Sequence, residues 1–148
     1  MNSRRSFLKV LGTTAVLPIC GGCGPADRTG RPEAHGPVAG GNVSELQLGR
    51  PKLAKGKPVV IILDSGGVYA MTTVCTHQQC DMRDDGNITV EGLSCDCHSS
   101  KFDINGSVTD GPASHDLKHY LVEIDASGEI TVQADNVVDA SERTPKPA

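Results

Sequence analysis

The chain has 148 residues, enough for one ordinary domain and not two, with 37% hydrophobic residues and a formal net charge of −4. Seventeen Gly, nine Pro, two Phe, two Tyr and no Trp leave little apolar volume for a core, so a disulfide or metal staple is expected, and six cysteines are its candidates. The lack of a glycine period or a sustained heptad, and an acidic rather than basic balance, exclude collagen-like, coiled-coil and nucleic-acid-binding chains.

Residues 1–23 read as an address. Arg4 and Arg5 precede Phe7, Leu8 and Lys9, and no further charge appears until Asp27. Ser3-Arg4-Arg5-Ser6-Phe7-Leu8-Lys9 resembles the bacterial twin-arginine export motif, which implies a periplasmic destination. Residues 10–25 are uncharged but interrupted by Gly, Thr and Pro, and fall short of the roughly 20 apolar residues of a membrane span. Cys20 and Cys23 close this stretch as a processing site, a lipidation site or a Cys-x-x-Cys pair. Membrane contact is therefore expected through the N-terminal segment. Residues 24–42, rich in Gly and Pro with Val38 as the one sizeable apolar residue, are expected to form a tether that buries no face.

From residue 43 to 135 the pattern is β. Apolar and polar residues alternate over 43–48, and the β-branched run 57–63 leads through the turn Asp64-Ser65-Gly66-Gly67 into Val68-Tyr69-Ala70-Met71-Thr72-Thr73-Val74. Further strands are expected over 88–90, in a hairpin around Asn105-Gly106, and over 120–124 and 130–132. The expected fold class is all-β, a small antiparallel sandwich or barrel with two loops that carry chemistry. Residues 136–148 are expected to be a polar tail, disordered from Ser141.

The chemistry lies in Cys75-Thr76-His77-Gln78-Gln79-Cys80 and Cys95-Asp96-Cys97-His98-Ser99-Ser100. Each segment offers a cysteine and a histidine at short spacing, plus one extra cysteine. Together they can supply two thiolates, two imidazoles and one disulfide. Zinc is the alternative, since two Cys and two His make a tetrahedral structural site, but zinc gives no reason for the extra cysteines. A purely disulfide-bonded domain would leave both histidines idle.

These segments resemble the two boxes of Rieske iron-sulfur proteins, C-x-H-x-x-C and C-x-C-H-x-S, and the likeness extends in order and spacing over residues 57–132. Gly111-Pro112-Ala113 is similar to the loop that packs over the cluster in that family. The resemblance implies one [2Fe-2S] cluster, with Cys75 and Cys95 on one iron and His77 and His98 on the other. It also implies a disulfide between Cys80 and Cys97 and a Ser100 hydroxyl that donates to a bridging sulfide. The implied role is one-electron transfer at an exposed histidine edge, as the Rieske subunit of a membrane-associated oxidoreductase or as a free periplasmic carrier. The implied partner is a cytochrome, a quinol-oxidising subunit or a molybdenum subunit of the arsenite oxidase type.

Two neutral imidazoles in place of two thiolates raise the cluster potential from about −400 mV to about −150 to +300 mV. Phe102 stands where the cytochrome bc branch carries a Tyr that donates to a cluster cysteine. Gln78, Gln79, Asp96 and Ser99 replace residues that make the family's rim apolar or glycine-rich. The expected potential lies below that of a cytochrome bc subunit and above that of an oxygenase ferredoxin. His115 and His119 are expected to be exposed, and His35 to be solvated in the tether.

Overall fold

The computed structural model describes residues 33–147. Signal segment 1–23, with Cys20 and Cys23, and residues 24–32 of the expected tether lie outside the described residues. Among the described residues, ten strands form two antiparallel sheets. Strands β1 (Pro37–Asn42), β2 (Lys52–Leu53), β3 (Val59–Leu63), β4 (Val68–Thr72), β9 (His119–Ile124) and β10 (Glu129–Val138) make a six-stranded sheet in the order β1-β10-β9-β4-β3-β2. Strands β5 (Gly86–Thr89), β6 (Gly92–Cys95), β7 (Ser100–Asp103) and β8 (Val108–Asp110) make a four-stranded meander. The all-β expectation holds.

The absence of apolar-polar alternation in β3 and β4 has a direct cause. Val59, Ile61, Val68 and Ala70 point into a core shared with Val38, Tyr120, Val122, Ile130 and Val132. Val60, Ile62, Tyr69 and Met71 point the other way, into a second core with Met82, Leu93, Phe102 and Leu117. Strands covered on both faces need apolar residues at every position. That second core also contains Cys75, Cys80 and Cys95, so the small sheet and its loops rest on one face of the large sheet.

The expected tether ends earlier than residue 42. Pro37–Asn42 is an edge strand paired with β10, and Ala34 and Val38 are buried. The glycines here permit close approach rather than flexibility. A Cβ on Gly40 would lie 2.6 Å from Ile130 Cγ2 and 2.8 Å from Ile61 Cδ1, so the β1 backbone can seat on the core only without one. His35 is exposed as expected, yet it sits 3.2 Å from Asp135 in an ordered segment.

The expected disorder from Ser141 is also corrected. Strand β10 runs to Val138, across a register shift between Gln133 and Val137 that hides its continuity in the sequence. Thr144 then pairs with Val68, and Arg143 binds Asp64 (2.6 Å) and Asn105 Oδ1 (2.7 Å) while its guanidinium lies 3.9 Å from the Tyr69 ring centroid. Two polar side chains and one ring, distant in sequence, hold the tail down.

His119 is buried, against expectation. Its Nε2 meets the Asn105 carbonyl at 2.9 Å and its ring stacks on Tyr69 at 5.6 Å. Burial pushes its pKa below the ordinary imidazole value. The turn of the β7–β8 hairpin lies against the start of β9, with the Gly106 carbonyl accepting from the Leu117 N–H (2.8 Å), and covers the face that alternation alone would leave wet. His115 is exposed, as expected.

Candidate metal centre

Two loops and one strap meet at the pole of the second core. The first loop leaves β4 through Thr73 and Val74, which pair with Met82 and Asp81, so residues 75–80 form the cap of a small hairpin. Within it the Cys75 N–H donates to the Cys80 carbonyl (2.8 Å) and the Gln79 N–H to the Cys75 carbonyl (2.9 Å). The second loop is the β6–β7 connection, because Cys95 and Ser100 are opposite each other in the ladder. The strap is residues 111–115. Its Ala113 N–H donates to Ser100 Oγ at 3.2 Å, and a Cβ on Gly111 would meet the Ser99 carbonyl at 2.5 Å. Thr76 Oγ1 donates to the His115 carbonyl (2.6 Å), tying the strap to the first loop as well.

A disulfide joins Cys80 to Cys97 with Cα atoms 6.7 Å apart, linking the two loops covalently. Cys75 and Cys95 are free and buried. The sulfurs of Cys80, Cys95 and Cys97 lie within 4.8 Å of one another, but two of the three are spent in the disulfide, so Cys95 alone among them can act as a thiolate ligand. Burial pushes the Cys95 thiol up to about 11, and the Cys75 thiol beside it adds to the rise, while the N–H groups of Cys97 and His98 pull it down. Two adjacent buried thiols with backbone donors aimed at one sulfur are suited to a cation that would convert them to thiolates.

The rings of His77 and His98 lie edge to face with centroids 4.7 Å apart. His77 Nδ1 is buried and has no hydrogen-bond partner. An orphaned buried ring nitrogen costs free energy unless something binds it. Cys75, His77, Cys95, His98 and Ser100 therefore converge at one pole, thiols inside and imidazoles toward solvent, and the donor set fits a metal group with one soft, thiolate-bound end and one borderline, imidazole-bound end.

Three residues that support this pole escaped sequence reading. Asp81 is buried, accepts from Thr73 Oγ1 (2.9 Å) and the Arg83 N–H (3.0 Å), and binds the Arg83 guanidinium (2.6 Å). Burial alone would raise its pKa, yet the Arg83 guanidinium, that N–H and the Thr73 hydroxyl together hold it below the usual carboxylate value. Asp81-Met82-Arg83 has no spacing signal; only its position just after Cys80 pointed to it.

Gln79 and Ser99 both adopt left-handed backbone, at φ 58° and 64°. Such a conformation costs an L-residue roughly 1–2 kcal/mol, of which glycine's larger unfolded-state entropy gives back about 0.4–1. Gln79→Gly and Ser99→Gly should each stabilise the domain by about 0.5–1 kcal/mol. Denaturant unfolding is the check, and a loss of stability in either variant would mean that the side chain makes a compensating contact.

The Rieske [2Fe-2S] domain family matches residues 37–121. The cytochrome b6-f complex iron-sulfur subunit of Prochlorococcus marinus (strain MIT 9312) is 32% identical over 119 residues, covering 74% of this chain and 66% of that protein. The subunit of the same description from Chlorobaculum tepidum is 28% identical over 137 residues, covering 87% and 74%. The chain thus spans just under two thirds of the length of the Prochlorococcus relative. Among solved structures, the cyanobacterial plasma membrane Rieske protein PetC3 from Synechocystis PCC 6803 aligns with a TM-score of 0.51 at 28% identity, over 66% of this chain and 99% of that one. A chain of the complex of reduced oxygenase and oxidised ferredoxin in carbazole 1,9a-dioxygenase shares the fold, with a TM-score of 0.50 at 20% identity over 72% of this chain and 100% of that one.

Proposed function

We propose, from the premise that this chain belongs to the Rieske [2Fe-2S] domain family, that it is an exported one-electron carrier serving as the Rieske subunit of a membrane-associated oxidoreductase. When bound, a [2Fe-2S] cluster supplies a site that takes up and releases one electron. Cys75 and Cys95 would hold one iron as thiolates, and His77 and His98 the other through ring nitrogens. The N–H groups of Cys97 and His98 act on Cys95 and stabilise its thiolate form. Ser100 Oγ is occupied as an acceptor by the Ala113 N–H, which leaves the hydroxyl proton to donate to sulfur. Cys75 and Cys95 lie in the dry core, whereas His98 is exposed. That asymmetry makes the imidazole edge the exit for an electron.

The observation that carries this reading is the convergence of two free buried thiols and two imidazoles at a pole closed by a disulfide. Export accords with the disulfide, since such bonds persist in oxidising compartments. It accords also with the twin-arginine-like segment. A parent complex accords with the descriptions of the cytochrome b6-f relatives, and a membrane location with that of the plasma membrane Rieske protein from Synechocystis. A free-standing carrier is the second reading, favoured by the polar ring of exposed Gln78, Gln79, Asp96 and Ser99 around the histidines, which suits a wet, transient encounter.

Electron paramagnetic resonance of the reduced protein should show the low average g-value of a histidine-ligated cluster. A zinc-loaded, resonance-silent protein would end the reading. In a redox titration the midpoint should lie above about −150 mV, and Phe102→Tyr should raise it by adding a hydroxyl donor within the second core. Copurification from native membranes separates the two roles, since a stable partner supports the subunit and a lone monomer supports the carrier.

A further inference from the structure

Residues 33–147 carry nine basic side chains against 17 acidic ones, yet four of the nine, Arg50, Lys52, Lys55 and Lys57, fall within residues 50–57, and no acid occurs between Glu45 and Asp64. Residues 48–57 hold two of the four exposed large apolar side chains among the described residues, Leu48 at 71% and Leu53 at 45% exposure. Lys52 is neutralised by Glu45, whereas Arg50, Lys55 and Lys57 project into solvent.

The segment covers one edge of the large sheet. Leu48 bridges to Leu63 at the turn end of β3, Lys52 and Leu53 pair with Ile61 and Val60, and the Lys57 carbonyl accepts from Arg83 Nη1 at 2.7 Å. The strip thus runs the length of β3 and ends beside the first cluster loop. Lysines on an edge strand also guard against strand pairing. That role accounts for neither exposed leucine, and it is served by the two-residue length of β2 already.

From this pairing of cations with leucine tips on one edge of an otherwise acidic domain, we propose that residues 48–57 are a contact surface for an anionic lipid bilayer. Lysine and arginine are drawn to anionic headgroups, and leucine gains by entering the boundary of the acyl region. An acidic protein surface would satisfy the cations and leave the leucines unrewarded. Seated this way, β3 lies along the bilayer, with the first cluster loop near one end of the strip.

The chain has no Trp, so Leu48→Trp in the full chain places a single indole in the strip. With vesicles of mixed phosphatidylglycerol and phosphatidylcholine its emission should shift to shorter wavelength, and with pure phosphatidylcholine it should not. Val90→Trp, exposed in the β5–β6 turn of the other sheet, should stay unshifted. Each cation is worth about fivefold, so adding Arg50→Gln, Lys55→Gln and Lys57→Gln should weaken the indole-reported binding roughly a hundredfold. An unshifted indole on vesicles that nonetheless pellet the chain would assign binding to the N-terminal segment and overturn the proposal. So would a shift with polyglutamate but not with vesicles, which would make the partner an acidic protein. Iron content and the resonance spectrum of Leu48→Trp, measured alongside, separate a failed carrier from a failed surface.

Discussion

Replacing both Cys80 and Cys97 by serine is expected to lower the stability of the domain by about 3 kcal/mol, from the loop entropy that a crosslink spanning 17 residues removes from the unfolded chain. The loss should be larger at the site than in the fold. The first loop is anchored at its base by the Thr73–Met82 and Val74–Asp81 pairings, and the second by the Cys95–Ser100 register. Neither anchor fixes one loop against the other. Besides the disulfide, the Thr76–His115 and Ser100–Ala113 hydrogen bonds tie each loop to the strap, and the Cys75–Cys95 and His77–His98 contacts join the loops directly without a covalent constraint. The variant should therefore fold, unfold at lower denaturant and retain iron poorly. Urea titration followed by circular dichroism, with iron content at each step, measures both effects. A double variant with unchanged midpoint and full iron would show that the strap and the direct contacts between the loops set their separation without the disulfide.

Arg83→Ala should cost about 2–3 kcal/mol. Breaking a fully buried ion pair by removing one partner costs roughly 3–5 kcal/mol. The smaller figure applies because the Arg83 side chain is 22% exposed whereas that of Asp81 is 2% exposed. The change leaves a buried carboxylate held by one hydroxyl and one N–H, and it also unties the Lys57 carbonyl at the start of β3. The pH dependence has a definite sign. In the parent chain the folded pKa of Asp81 is depressed, so its contribution is present above the unfolded value near 4 and is lost as pH falls through the folded pKa. In Arg83→Ala the unpaired carboxyl protonates more readily, so the deficit should be greatest near neutrality and shrink below about pH 4. Adding Asp81→Asn should recover part of the loss at pH 7, because the amide oxygen still accepts from Thr73 and Arg83's backbone position without a charge to desolvate. A deficit that is flat with pH would place the damage in packing rather than in the ion pair.

Much of the candidate site is legible in order along the chain. Cys75, His77, Cys95 and His98 stand out because ligand spacing within a loop is a local property, and two short loops on adjacent hairpins are each set by a few residues. The β-branched run at 59–63 and the turns at Asp64-Ser65-Gly66-Gly67 and Asp103-Ile104-Asn105-Gly106 were legible for the same reason. The places where structure departs from the sequence pattern have one cause in common. Gly40 and Val38 looked like linker until Ile61 and Ile130 supplied the surface they pack on, and Arg143 looked like tail until Asp64, Tyr69 and Asn105 came together to receive it. His119 looked solvent-exposed because the alternation of β9 predicts one wet face, and the β7–β8 hairpin covers that face.

The sequence by itself therefore determined the class of fold, the presence of two chemistry-bearing loops and the family they resemble, because these follow from patterns a few residues long. Tertiary structure alone decided the rest: that Asp81 and Arg83 brace the first loop, that the strap leaves the Ser100 proton free, that the tail is part of the domain, and that the cations of residues 50–57 line one edge. Each of these depends on groups far apart in the chain meeting in a low-dielectric core or on one surface, and no local preference encodes such a meeting.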